Sequence, residues 1–289
     1  MHLPACPLCG GALSRWFTAC DTNVDRCPAC GLAMLNPQPD DATLDRIYGA
    51  TYFIGSTTPE MHREVNALKR ATAGLQLDEI AAHSGGTGGR LLEVGCGLGN
   101  FLLEARARGY RVNGIDVSES AVTAANRALG EPLARAGRLE DMGLAAASFD
   151  VVALADVIEH VRDPRAFLAV VHDLVRPGGL VFLTVPSLDS LSARLMGRWW
   201  VEFKHEHLYY FDRATISRLL RESGFGDIAV TPGHKVLTLT YVVGHFEKFP
   251  VPALTPLMRL LKAALPARLL TRQFQMVASG INVVARRPA

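Results

Sequence analysis

The stretch Arg90 to Leu102, RLLEVGCGLGNFL, constrains this chain more than any other. Leu91, Leu92 and Val94 make a short apolar run, which predicts a buried strand. Gly95-Cys96-Gly97-Leu98-Gly99 follows at once, and Phe101, Leu102 and Ala105 then open a helical pattern. Strand, glycine turn and helix together build a nucleotide pocket. Glycine lets backbone approach a ligand, and the free N–H groups at a helix start face an anion. Asn100 stands where a dinucleotide fingerprint has its third glycine. Glu93 lies two positions before the first glycine, and the next apolar run, Arg111 to Ile115, ends on Asp116. A carboxylate at that strand tip can accept hydrogen bonds from both ribose hydroxyls. A glycine loop alone fits any tight strand–helix turn; Glu93, Gly95, Gly97, Gly99 and Asp116 together favour a cofactor site.

A length of 289 residues accommodates one well-buried domain and a small extra module. With 49% hydrophobic and 20% charged residues, the chain reads as globular. A net charge of only +2 gives no general argument for a nucleic-acid partner. No basic region with a long apolar run follows Met1, so no signal peptide is expected, and no apolar stretch is long enough for a membrane span. Six cysteines do not suggest a secreted disulfide scaffold, and a cytoplasmic location is expected.

Four of those cysteines form two pairs, Cys6-Pro-Leu-Cys9 and Cys27-Pro-Ala-Cys30, with 17 residues between them. Two such knuckles match a four-cysteine zinc ribbon over residues 1–40. Gly10 and Gly31 follow the second cysteine of each pair, where a tight turn lets both thiolates face one ion. Four sulfur ligands leave no open position, so the zinc would be structural; a redox dithiol pair is the competing reading. Cys20 and Cys96 read as ordinary thiols.

Residues 41–88 read as a helical linker region, with an aromatic cluster at Tyr48, Tyr52 and Phe53 and one long helix from Pro59 to His83. The remainder, 89–289, reads as one α/β domain with a helical insertion near 250–278. Phe149 to Ala155 is a buried strand whose carboxyl end carries Asp156-Val-Ile-Glu-His160, and ligands of open α/β sheets sit at that edge. The stretch 199–211, WWVEFKHEHLYYF, follows the strand Leu180–Val185 and suits a substrate lid. Near 253–272, Leu257, Leu260, Leu261, Ala264 and Leu265 recur at helical spacing. No Asp or Glu follows Glu247, whereas Arg259, Lys262, Arg268 and Arg272 do. Packing of this segment on its own domain is the favoured expectation, and peripheral contact with an anionic membrane the alternative.

LLEVGCGLGNFL, GIDVSESAV, SFDVVALADVIEHV and LVRPGGLVFLTVPS, in that order, resemble successive motifs of class I S-adenosylmethionine-dependent methyltransferases. The resemblance covers about residues 88–230 and implies a doubly wound, mostly parallel seven-stranded sheet with helices on both faces. It implies S-adenosylmethionine as cofactor, with Asp156 near it. Such enzymes often carry an acidic residue after the third strand, near adenine; Arg138 stands there, so Leu139 backbone or Glu140 would supply the contact. Glu206-His207, followed by aromatics and Phe211-Asp212, is similar to a stretch in zinc-containing sugar C-methyltransferases, where a Glu-His pair lies at the acceptor. That similarity implies a small-molecule acceptor, a nucleotide-linked sugar or glycan precursor. Methyl transfer needs alignment and a base, and an imidazole suits the second task; His207 is the first candidate, with His160 and Glu206 behind it. A ribosomal-RNA methyltransferase with a zinc module and a non-catalytic zinc-ribbon interaction protein are the alternatives.

Overall fold

The computed structural model describes residues 1–19, 21–47, 58–248, 250–252 and 254–289. Cys20 and the aromatic trio Tyr48, Tyr52 and Phe53 lie outside the described residues, as does Ala253.

Three short strands, β1 (Ser14–Ala19), β2 (Thr22–Arg26) and β3 (Ala33–Leu35), form an antiparallel sheet next to the two cysteine knuckles. Helix α1 (Asp41–Ile47) follows, then the long helix α2 (Pro59–Ser84). Thr58 caps α2 by accepting from Met61 N–H, and Gly85, at φ +80°, ends it in the left-handed conformation glycine favours.

The glycine stretch folds as read: β4 (Arg90–Val94), the turn, and α3 (Asn100–Ala107). The chain continues through β5 (Arg111–Asp116), α4 (Glu119–Leu129), β6 (Ala134–Ala136), β7 (Phe149–Ala155), α5 (Pro164–Leu174) and β8 (Val175–Pro186). Ser118 caps α4 and Asp163 caps α5 through side-chain oxygens that accept helix N–H bonds. After β8 come α6 (Leu191–Met196), the two-residue strand β9 (Tyr209–Tyr210), α7 (Arg213–Glu222), β10 (Gly226–Leu237), α8 (Leu239–Lys248), α9 (Leu254–Ala264), α10 (Ala267–Leu270) and β11 (Phe274–Arg286).

Seven strands form one sheet in the order β10-β11-β8-β7-β4-β5-β6. β4, β5, β6, β7 and β8 run parallel, and β11 is antiparallel to both β8 and β10. The architecture is that of a doubly wound α/β enzyme. Strand alternation divides its core in two. Leu91, Val151, Ala153, Leu180, Phe182 and Val284 pack with residues of α2, α3 and α4, whereas Leu92, Val152, Leu154, Val181, Leu183 and Val283 pack with α5 and α7. Order reverses at β4, which has β5 on one side and β7 on the other, so a crevice opens at its carboxyl end.

The cysteine module is not a separate bead. β3 pairs with β9, so a strand from beyond residue 200 completes its sheet, and Cys6, Leu8, Cys27 and Leu32 join the apolar cluster of α5 and α7. In the helical insertion α9 packs against α8, while Leu257, Leu260 and Leu261 of α9 are exposed.

Candidate active site

The glycine turn is tied down by backbone bonds to the neighbouring strand. Gly95 and Cys96 N–H both donate to Ile115 carbonyl, at 2.8 and 3.0 Å. Gly95 (φ +75°) could not carry a side chain, since a Cβ there would lie 2.6 Å from Val157 Cγ2. Gly97 has φ +48°, a conformation in which a β-branched residue is strained. Asp116 is buried and bridges the turn to its own strand tip: Oδ2 accepts from Gly97 N–H at 2.8 Å and Oδ1 from Ser118 N–H at 2.9 Å. Each oxygen retains a lone pair, so ribose contact remains compatible with this loop-holding role. Burial, which pushes the Asp116 carboxyl up, is partly offset by those two N–H bonds.

Glu93 is as buried as Asp116, and its Oε2 has no hydrogen-bond partner among the described residues. Burial, then the nearby Asp116 charge, pushes its carboxyl well above the usual range. A buried polar atom without a partner is what a polar ligand seated in the crevice would satisfy. Asn100 docks α2 over the turn, its amide donating to Asn66 Oδ1 at 3.0 Å. At the far side, Leu139 is buried in a 3-10 turn, while the Glu140 carboxylate pairs with Arg138 at 2.8 Å.

Asp156 directly follows β7 and lies in the left-handed region, at φ +55°. Non-glycine residues held there mark sites where the surrounding structure imposes the geometry. Thr184 does so: its hydroxyl accepts from Asp156 N–H at 3.0 Å and donates to Asp156 Oδ1 at 2.8 Å. Lys235 Nζ donates to Oδ2 at 3.2 Å. The pair floors a cleft, since the side chains of Asp156 and Lys235 remain 45% and 38% accessible. Burial opposes ionisation of Asp156, but Lys235 and Thr184 hold its carboxyl below the usual range, and Asp156 in turn raises the Lys235 ammonium.

Beside this cleft the structure brings together three of the polar residues that the sequence singles out. His160 and His207 rings meet edge to face with centroids 4.8 Å apart, and Glu159 lies beneath them. His160 Nδ1 bonds to the Glu206 carbonyl at 2.8 Å, so Glu206 touches the cluster through its main chain. Neither Glu159 oxygen has a hydrogen bond, nor does His207 Nδ1, among the described residues. Burial, then Asp156, pushes the Glu159 carboxyl well up, and burial, then His160 and Lys204, pushes His207 down to about 3. This floor therefore pairs a carboxyl pushed toward its protonated form with an imidazole pushed toward its neutral form. One donor atom from each of Glu159, His160 and His207 lies within 4.8 Å of the others, close enough for the three to share a cation. His205 is exposed, and Tyr209 and Tyr210 spend their hydroxyls on the carbonyls of Arg162 and Lys204.

Sequence reasoning missed Lys235, Thr184 and Glu202. Burial opposes ionisation of Glu202, but Lys204, then His207 and Lys235, hold it at about 2. Lys235 sits on an antiparallel strand with no motif around it, and Asp156 is 79 residues away. A left-handed aspartate would have flagged the place, but backbone conformation is not written in local pattern.

The four ribbon sulfurs, those of Cys6, Cys9, Cys27 and Cys30, lie within 4.8 Å of one another. Cys6 and Cys30 sulfurs are 3.5 Å apart, and those of Cys9 and Cys27 3.4 Å. Gly10 and Gly31, at φ +71° and +87°, supply the left-handed turns, with their N–H groups on the carbonyls of Cys6 and Cys27. Zinc–sulfur bonds of about 2.3 Å in a tetrahedron set sulfurs about 3.8 Å apart, and the cluster fits that cage.

A family model described as a methyltransferase domain matches residues 66–230. The chain is 32% identical over 186 residues to a ubiquinone biosynthesis O-methyltransferase of Neisseria meningitidis, covering 58% of this chain and 77% of that protein. To the enzyme of the same name from Aromatoleum aromaticum it is 28% identical over 226 residues, covering 73% and 94%. Among solved structures, an S-adenosylmethionine-dependent methyltransferase from Archaeoglobus fulgidus superposes with a TM-score of 0.51 at 17% identity, covering 75% and 94%, which speaks to the fold alone. The relatives correct one expectation. The nucleotide-sugar or glycan acceptor drawn from the Glu206-His207 stretch is overturned, since the relatives at about this identity are named for ubiquinone biosynthesis. The Glu-His stretch misled because a lid motif reports position beside the sheet, not the chemistry of what enters.

Proposed function

Because this chain belongs to the methyltransferase-domain family and is an S-adenosylmethionine-dependent methyltransferase, we propose that it methylates a hydroxyl oxygen on an aromatic acceptor of a quinone pathway. Similarity to the ubiquinone-biosynthesis O-methyltransferases carries this reading. Glu93, Asp116 and the glycine turn would hold S-adenosylmethionine, with Leu139 and Glu140 at the adenine side and Asp156 between cofactor and acceptor. When bound, S-adenosylmethionine supplies an electrophilic methyl group. The chain's own residues then align the acceptor and take its proton. A phenolic hydroxyl, with a pKa near 10, needs help to lose that proton. His207 would receive it: Nδ1 has no hydrogen-bond partner among the described residues, and burial favours the neutral ring. Burial, His160 and Lys204 oppose the imidazolium that results, and Glu202, held at about 2, and Asp156, held below the usual range, offset part of that. We also assign a structural zinc ion to Cys6, Cys9, Cys27 and Cys30, on the sulfur spacing.

Two variants test the cofactor pocket. Asp116→Ala removes an acceptor that holds the turn and would face ribose, and should weaken S-adenosylmethionine binding by about 1.5–3 kcal/mol, some 10–150-fold. Gly97→Val, strained at φ +48°, should abolish binding. Unchanged calorimetric affinity in both would sink the pocket. The acceptor is tested with hydroxylated arenes and hydroquinols plus labelled cofactor, products being read by mass spectrometry. A methyl ether is the expected product, and no turnover of any hydroxylated ring overturns the reading.

A further inference from the structure

Helix α9 is amphipathic in sequence, yet of its residues only Thr255 is buried. At 100° per residue Leu257, Leu260, Leu261 and Ala264 fall on one stripe, and Arg259 and Lys262 lie on the opposite side. Those two cations stand 4.0 and 3.9 Å from Glu247 of α8. The helix rests on its own domain through Leu254, Thr255 and Met258, while Arg259 and Lys262 stay 61% and 46% exposed and the leucine stripe faces outside. Leu257, Leu260 and Leu261 are 49%, 66% and 38% exposed, and Leu269 of α10 is 41% exposed. A helix stabilised only by its own domain buries its apolar stripe, and a contiguous outward apolar stripe marks an interaction surface.

Charge selects the occupant. Residues 248–289 contain no Asp or Glu. Arg268 and Arg272 flank Leu269, and no carboxylate lies within ion-pair distance of either among the described residues. Outward leucines with uncompensated arginines beside them match the boundary between acyl chains and anionic headgroups. The same excess of positive charge opposes pairing with a second copy. We infer that α9 and α10 dock this enzyme on the surface of an anionic lipid bilayer. No described helix is long and apolar enough to cross one, so the contact is peripheral. The surface adjoins the active site: α8, packed against α9, carries Tyr241 and His245, whose electrostatic partners include Lys235. A lipophilic acceptor would meet the cleft at the membrane; that consequence rests on the proposed acceptor, whereas the docking itself does not.

The test is flotation of the full chain with phosphatidylcholine vesicles, with and without phosphatidylglycerol. Binding is expected only with phosphatidylglycerol and should fall steeply with salt. The triple variant Leu257→Ser, Leu260→Ser, Leu261→Ser should bind at least about 100-fold more weakly. Arg268→Gln with Arg272→Gln should cost about 30-fold and leaves the leucines in place, which keeps the test open should the triple variant misfold. S-adenosylmethionine affinity, measured on each variant, should match the parent. No partitioning of the parent chain, equal partitioning onto both vesicle types, or a dimer in sedimentation that the leucine variant dissociates would each overturn the proposal. None of these outcomes depends on which acceptor is methylated.

Discussion

His207→Gln is expected to lower kcat about 10²–10⁴-fold, the usual cost of losing a general base, with S-adenosylmethionine affinity unchanged. Glutamine keeps the size and polarity of the buried ring but cannot take a proton. A purely structural histidine predicts the opposite pattern, a lower melting temperature with activity per folded molecule kept. The pH dependence separates the two further. An unperturbed histidine base gives an ascending limb near 6.5. Burial moves His207 down to about 3, with His160 and Lys204 adding to the shift. The limb from this group should therefore lie far below 6.5. Stability responds with a definite sign. The unfolded chain takes up the His207 proton below about 6.5, whereas the folded chain resists until about 3. The contribution is complete above 6.5 and is lost as pH falls through that window. The glutamine variant should lose stability less steeply there in thermal melts. Parent-like kcat in His207→Gln would move the base to His160.

Chelation of the proposed zinc is expected to cost more than the ribbon. Structural zinc binding contributes about 10–16 kcal/mol in small cysteine modules, far more than three short strands supply by themselves. β3 is joined to β9, and Leu35 N–H donates to the Leu208 carbonyl at 3.0 Å. Leu208 follows His207 directly, and its own N–H bonds to the Glu159 carbonyl at 2.8 Å. Loss of the metal should therefore loosen the histidine loop. The glycine turn is held elsewhere, with Cys96, Phe101 and Leu102 in the core cluster of α2, α3 and α4. Treatment with a strong chelator, or Cys27→Ser, should remove about one zinc per chain. It should also open residues 1–35 to protease and abolish turnover, while S-adenosylmethionine binding persists. An unchanged proteolysis pattern after complete chelation would exclude the metal.

Much of the fold was legible because it is local. Alternating and helical periodicities mark which residues are apolar together, and Ser118, Asp163, Gly85 and the loop glycines punctuate them. The run from Arg90 to Asp116 determined a strand, a turn and a helix by itself, since the turn needs glycine wherever φ is positive. The paired cysteines determined a cluster of four sulfurs through spacing and the two glycines that follow them. Other features arise only where distant segments meet. Lys235 reaches Asp156 across the sheet edge, and His160 meets His207 because the strand that follows His207 joins the sheet of the cysteine module. The shift of His207 follows from that enclosure, which no local pattern encodes. The leucines of α9 make the same point. Periodicity determined that they share one side of a helix, but only the tertiary structure decided that this side faces outward, because a periodic pattern says which residues lie together and not what stands opposite them.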